Sequence, residues 1–268
     1  MRLFAIVATL ALVLVARPGQ TAGPGPLTAQ ALAGHKAGYI LTLERVRGSE
    51  ITAVSGTMGY DVVDACDGWA VRQRLAMVIT SSDGQDVELV SDYTTFESKD
   101  GLRLRFRMKQ TTDDAVTSQT EGSATLRRLG GPGEVRYTVP QVRRMELPAG
   151  TQFPMTHTLS VLNAAKEGRK FLSIPLFDGT GDNGAEDSSA VVLDWKQGAA
   201  TTHPALAKLF STRVRLAFFE RKKNEYTPSY EVGMRYWENG VAEDMQMDFG
   251  DFVMRARMAE FALQPRKC

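Results

Sequence analysis

Three histidines, His35, His157 and His203, are the side chains best suited to move a proton near neutral pH. Their spacing limits that chemistry. None stands at the close separation of a metal-ligand pair. The chain also shows no Gly-x-Ser-x-Gly elbow, no phosphate-binding Gly-Lys loop and no zinc-protease helix. His157 is the best placed, near an expected helix start where the helix dipole disfavours its charged form. Packing or capping is the simpler role for it. No catalytic set and no cofactor are expected, although carboxylates dispersed in sequence can still meet in a fold.

Two charged segments offer binding chemistry instead. Asp178, Asp182, Asn183, Glu186 and Asp187, set among Gly179, Gly181 and Gly184, supply oxygen ligands of the kind calcium takes. Their spacing misses the EF-hand pattern, and a solvated acidic turn is the plainer reading, so no metal is expected. The second segment alternates Leu102, Leu104, Phe106 and Met108 with Arg103, Arg105, Arg107 and Lys109. One face of such a strand enters the core and the other is basic. That basic face is either solvated and paired with acids such as Glu88 or Asp92, or a docking patch for lipid phosphates or an acidic partner.

Cys66 and Cys268 are the two cysteines of the chain. An even pair in an oxidising compartment reads most simply as one disulfide, the alternative being two separate thiols. Two cysteines alone make a poor metal site. A bridge between them would enclose about 200 residues, worth about 5 kcal/mol by chain entropy, and would hold a long sheet closed on itself.

The compartment is argued from the amino terminus. Arg2 precedes the uncharged apolar run Leu3–Ala16, which breaks at Arg17-Pro18-Gly19. The run is too short for a membrane span, which needs about 20 apolar residues, and fits a signal-peptide core. We therefore expect a signal peptide over residues 1–22 and one exported domain over 23–268, with an uncleaved anchor as the alternative. The whole chain holds 32 basic and 31 acidic residues. Removing Arg2 and Arg17 leaves a net charge of about −1, which steers nothing to nucleic acid. No stable transmembrane segment is expected after cleavage.

Period-two alternation dominates the rest. Tyr39, Leu41 and Leu43 alternate with Ile40, Thr42 and Glu44, and Trp69, Val71, Leu75 and Met77 with Arg72 and Arg74. Val135–Val139 and Val214–Phe218 repeat the pattern. Tyr230–Glu238 and Val241–Phe249 flank Asn239-Gly240, which predicts a hairpin with a two-residue turn of positive φ angles. Helix signals are few. Pro154 suits a first helical position, Leu159, Leu162 and Ala165 share a face, and Gly168 can end that helix. A second helix is expected from Thr202 and Pro204 to about Phe210. The fold class is mainly β and antiparallel.

Several blocks of the sequence resemble a known family. Gly56, Met58, Tyr60 and Asp64 precede Cys66-Asp67-Gly68-Trp69. Leu147–Pro154 with His157, Phe177-Asp178-Gly179, Asn239-Gly240-Val241, Gly250-Asp251-Phe252 and a terminal Cys268 follow in order. Over roughly residues 35 to 268 the chain resembles the EipB-like periplasmic cell-envelope-integrity proteins. The resemblance implies a long antiparallel sheet coiled as a spiral or open barrel around one or two short helices, with a Cys66–Cys268 disulfide. It also implies location in the periplasm of a Gram-negative cell and a part in maintaining its envelope. It transfers no catalytic residue. Three readings follow: a non-enzymatic protein that binds a periplasmic protein partner, a carrier holding a lipid or lipoprotein acyl chain in the sheet cup, and, weakest, a hydrolase. The chain's 11 methionines would suit an adaptable apolar lining and an irregular core equally well.

Overall fold

The computed structural model describes residues 25–221, 226–266 and 268. The expected signal peptide, residues 1–22, lies outside them. Among the described residues no helix is long and apolar enough to cross a membrane.

The alternating segments form strands that follow one another as antiparallel neighbours. These are β1 (His35–Val46), β2 (Ile51–Asp64), β3 (Gly68–Ser81), β4 (Asp86–Ser98), β5 (Arg103–Thr112), β6 (Ala115–Leu126), β7 (Gly133–Val139) and β8 (Arg143–Leu147). Helix α1 (Pro154–Lys166) comes next, then β9 (Phe171–Leu176), β10 (Glu186–Val192) and the two-residue β11 (Lys196–Gln197). The chain ends in β12 (Phe210–Phe219), β13 (Tyr230–Trp237), β14 (Ala242–Asp248) and β15 (Phe252–Leu263). β15 pairs with β1, so all strands share one sheet in the order β8-β7-β6-β5-β4-β3-β2-β1-β15-β14-β13-β12-β10-β9, with β11 beside β12. The sheet is not closed by strand pairing.

The inner face of this coil is the core, and α1 lies within it. Val161 and Ala165 pack in a large cluster with Tyr39, Leu41, Met58, Trp237 and Met254, while Met155 and Leu162 pack with Leu32, Trp69 and Val71. Burying each such side chain contributes about 1.5–3 kcal/mol before entropy is counted. A third cluster joins Leu104, Phe106, Val135, Tyr137 and Leu147 of the β5–β8 end to Phe153, Phe177 and Ala185. Buried methionines such as Met58, Met77, Met245, Met247 and Met258 are part of this packing.

Three local expectations are corrected. The β13–β14 hairpin forms, but its turn is a three-residue loop: Gly240 N–H donates to Trp237 O, Trp237 N–H donates to Val241 O, and only Gly240 has positive φ (84°). Leu32 lies 2.7 Å from where a Gly240 Cβ would stand, and Ala33 N–H donates to Asn239 O, so the amino-terminal segment fixes this loop. The two-residue turn with both φ angles positive sits at Asp113 (48°) and Asp114 (63°), between β5 and β6. The helix expected up to Phe210 does not form. Leu206, Ala207 and Leu209 donate three residues back to His203, Pro204 and Leu206, and Phe210 already pairs with Gln197 in the sheet. So short a segment cannot repay helix nucleation when a sheet edge competes for it.

The third correction concerns the bridge. Cys66 and Cys268 are disulfide-bonded with Cα atoms 5.6 Å apart and a sequence separation of 202. Cys66 sits in the β2–β3 turn, and Cys268 follows β15, so the bridge staples one end of the consecutive strands β15, β1 and β2. It lies in mid-sheet and does not draw the two sheet edges together. The β9 edge instead meets the segment that follows β8, through a parallel bridge between Gln152 and Leu176, and the loop after β9 packs Phe177 and Ala185 against the β5–β8 end.

Candidate functional site

The buried polar groups gather at α1. Phe153 at its N-cap offers no side-chain hydrogen bond, so the first helical N–H groups need another acceptor. Glu97 of β4, 1% exposed, provides it. Its Oε2 accepts from Met155 N–H at 2.7 Å, and its Oε1 accepts from Thr156 N–H at 2.9 Å and from the Thr156 hydroxyl at 2.6 Å. Burial pushes the Glu97 carboxyl up to about 7, against the pull of these three donors. On the other side of the helix, His157 Nε2 and Ser188 Oγ of β10 are 2.9 Å apart. Burial lowers the His157 imidazole to about 4, so it is neutral at pH 7. A Ser–His contact has the composition of a hydrolytic dyad, yet Ser188 is 1% exposed and His157 is buried beside it. Glu97 and His157 therefore fasten α1 to opposite parts of the sheet.

His35 and His203 stand apart from this centre. His35 Nδ1 is 2.9 Å from Ala33 O, its ring lies beside Tyr60 and Phe261, and burial lowers its pKa. His203 meets the edge of the same Phe261 ring.

The acidic loop is a peg on the inner face of the β4–β7 region. Tyr93 hydroxyl donates to Asp178 O at 2.6 Å, Thr120 hydroxyl to Gly179 O at 2.6 Å, and Tyr137 hydroxyl to Gly181 O at 3.2 Å. Gly179 has φ 81°, and a Cβ there would lie 2.3 Å from the Phe106 ring, so glycine is required twice over. The carboxylates do not converge. Asp178 accepts from its own Thr180, Asp182 pairs with Arg143 at 3.7 Å, and Asp187 pairs with Arg221. Glu186 is pushed up to about 7 by burial, with Asp178 and Glu220 adding to it. Among the described residues no three His, Cys, Asp or Glu side chains form a metal-holding group.

The outer face is built by the same alternation. In β5, Leu104, Phe106 and Met108 are buried, while Arg103, Arg105, Arg107 and Lys109 are exposed. The acids named from sequence are not their partners. Asp92 stands opposite Lys109 but accepts from Arg74 at 2.7 and 2.8 Å, and Glu88 stands opposite Val78. Arg107 lies 3.9 Å from Glu121, Arg103 lies 3.7 Å from Asp100, and the Arg105 guanidinium covers the Phe96 ring at 5.2 Å. Lys109 has no ion pair among the described residues. The sheet register then extends this face: Arg72 of β3, Thr94 and Arg107 are aligned, as are Arg74, Asp92 and Lys109.

Sequence reasoning missed Glu97, Ser188 and the participation of Arg72 and Arg74. Glu97 carried a signal, because it falls in phase with the inward Tyr93 and Thr95 of β4 and opposite Trp69. A glutamate at an inward position needs partners. Ser188 carried none, since serine fits a strand in many ways.

With this geometry in view, comparison with known proteins places the chain. The EipB-like family matches residues 26–265. The chain belongs to the EipB-like family. A relative named "Cell envelope integrity protein EipB", from Brucella abortus (strain 2308), is 29% identical over 236 residues, covering 85% of this chain and 83% of that protein. A crystal structure of a beta-barrel-like protein of a domain of unknown function, also from Brucella abortus, aligns with TM-score 0.79 and 28% identity over 88% of this chain and 99% of that one. The EipB-like blocks fall at joints of the fold. Cys66–Trp69 makes the stapled β2–β3 turn, where Lys99 pairs with Asp64 at 2.6 Å and lies 5.2 Å over the Trp69 ring. Leu147–His157 leads into α1, and Phe177–Gly179 forms the peg.

Proposed function

We propose that this EipB-like chain is a non-enzymatic periplasmic protein that maintains cell-envelope integrity by binding another envelope protein. The observation that carries the reading is the division of its polar groups. Glu97, His157 and Ser188, which have the chemistry for catalysis, are buried and engaged in holding α1. The exposed arginines of β3 and β5 keep charge available to a partner. The name of the Brucella abortus relative supports the envelope role, and the apolar run Leu3–Ala16 supports export.

A clean deletion should sensitise cells to detergents and cell-wall antibiotics, and the full chain should restore tolerance. Native mass spectrometry of the chain purified from the periplasm without detergent should show a stoichiometric protein. Normal tolerance would remove the envelope role. A stoichiometric lipid in place of protein would replace partner binding with acyl-chain carriage.

A further inference from the structure

We infer that the outer face of β3–β6 is a docking trough for an extended, acidic peptide segment of the partner, a reading that rests on the protein-binding function proposed above. Two grooves adjoin there. One, of about 520 Å³, is lined by Arg72, Arg74, Asp92, Thr94, Arg107 and Lys109. The other, of about 590 Å³, is lined by Phe96, Arg105, Glu121 and Ser123 and shares Thr94 and Arg107 with the first. Thr94 occupies the middle strand, with Arg72 on one side and Arg107 on the other. The two guanidinium-bearing strands are therefore roughly 10 Å apart, with a short side chain as the floor between them.

The spacing along the strands selects the occupant. Arg105, Arg107 and Lys109 on β5, and Arg72 and Arg74 on β3, recur at every second residue, a repeat of about 6.8 Å. An extended peptide presents alternate side chains with the same repeat, so carboxylates at every second position meet successive cations in register. Arg guanidinium groups are suited to such carboxylates because their paired N–H donors match the two oxygens. Charge complementarity is retained after internal pairing. Asp92 engages Arg74 and Glu121 is 3.9 Å from Arg107, whereas Arg72, Arg105 and Lys109 have no ion pair among the described residues. A membrane surface fits less well. Lipid-surface binding combines cations with exposed apolar side chains, and the exposed large apolar residues of β3 and β6, Val78 and Val116, line neither groove, while Phe171, Val191 and Leu193 lie on β9 and at the end of β10, at the far end of the strand order.

The test titrates the full mature chain with a short synthetic peptide alternating Glu and Thr. A peptide of the same composition with its glutamates in one block, and phosphatidylglycerol–phosphatidylcholine vesicles, serve as competitors. The alternating peptide should bind best, and binding should collapse in about 1 M salt, where the screening length is about 3 Å. Replacing Arg72→Glu together with Arg107→Glu should weaken it at least about tenfold. Arg72→Lys with Arg107→Lys should keep part of the affinity, and Arg257→Glu, a charge reversal on β15, should leave it unchanged. Equal binding of the block peptide, preference for vesicles, or indifference to the double reversal would overturn the inference. If the doubly reversed chain still co-purifies with the same stoichiometric protein, the trough is wrong while protein binding stands. If the wild-type chain carries no protein, the underlying reading fails instead.

Discussion

Strands β3, β4 and β5 present two contrasting surfaces from one alternation. Inward they carry Trp69, Glu97, Leu104 and Phe106, and outward Arg72, Thr94, Arg105 and Arg107. The inner glutamate accepts three hydrogen bonds within the protein, and its carboxyl is already raised by burial. Of the outer arginines, Arg107 has a carboxylate at 3.9 Å and Arg105 rests on an aromatic ring. Groups whose hydrogen-bonding capacity is filled internally hold the fold. Groups with capacity left over can recognise something else. Substitutions inside should therefore change stability, and substitutions outside should change binding.

The largest effect expected on the inner architecture comes from the staple. Cys66→Ser should destabilise the chain by up to about 5 kcal/mol, the chain-entropy value for a loop of this size, and less if the denatured chain is compact. Total stability of such a domain is about 5–15 kcal/mol, so the loss is visible in a denaturant or thermal melt. Reduction of the wild type should reproduce it, and the Cys66→Ser, Cys268→Ser double variant should match either single one. An unmoved transition would show that β15, β1 and β2 hold together without the bridge.

Next comes Glu97. Glu97→Ala leaves Met155 N–H, Thr156 N–H and the Thr156 hydroxyl without their acceptor, at a cost of about 2 kcal/mol. The pH dependence identifies the carboxyl. Its folded-state pKa of about 7 lies above the ordinary 4.5, so its stabilising contribution is full below pH 4.5 and is lost as pH rises through 7. His157 acts oppositely. Its value falls from 6.5 to about 4, so its contribution is full above pH 6.5 and is lost as pH falls through 4. Melts across this range should show that Glu97→Gln removes part of the loss on raising pH, with Glu186 retaining a contribution of the same sign. His157→Gln should remove part of the loss on acidification. If neither profile changes, these groups are not the buried anchors of α1.

The sequence carried this contrast unevenly. Alternation placed Arg103, Arg105, Arg107 and Lys109 outside and their neighbours inside, because each strand is half-buried and has a period of two. It placed α1 through Pro154 and Gly168, both of which act locally: Gly168 has φ 72° and donates to Ala165 O. What it did not reveal was strand order. β15 joins β1 only in the folded sheet, so the bridge appeared to close the coil when it staples neighbours. The same ignorance of register hid the alignment of Arg72 with Arg107 across Thr94, and it hid Arg74, which takes the ion pair of Asp92 although Asp92 stands opposite Lys109. Turn chemistry misled in a smaller way, since Asn239-Gly240 has a local preference that contact with Leu32 modifies.

The smallest expected effect sharpens the comparison from the outside. Arg72→Ala should change stability by no more than about 0.5 kcal/mol, because an exposed charge outside any ion pair contributes little. Arg105 has one structural contact, its guanidinium over the Phe96 ring, worth about 0.5–1 kcal/mol at an exposed site, so Arg105→Ala should be the more costly of the two. Arg72→Ala provides the cleaner test. If its melting transition coincides with wild type while acidic-peptide affinity falls, stability and recognition are separated between the two faces of the same strand. A stability loss comparable with that of Glu97→Ala would mean instead that Arg72 is a structural residue, and the outer face would lose its claim to be held in reserve for a partner.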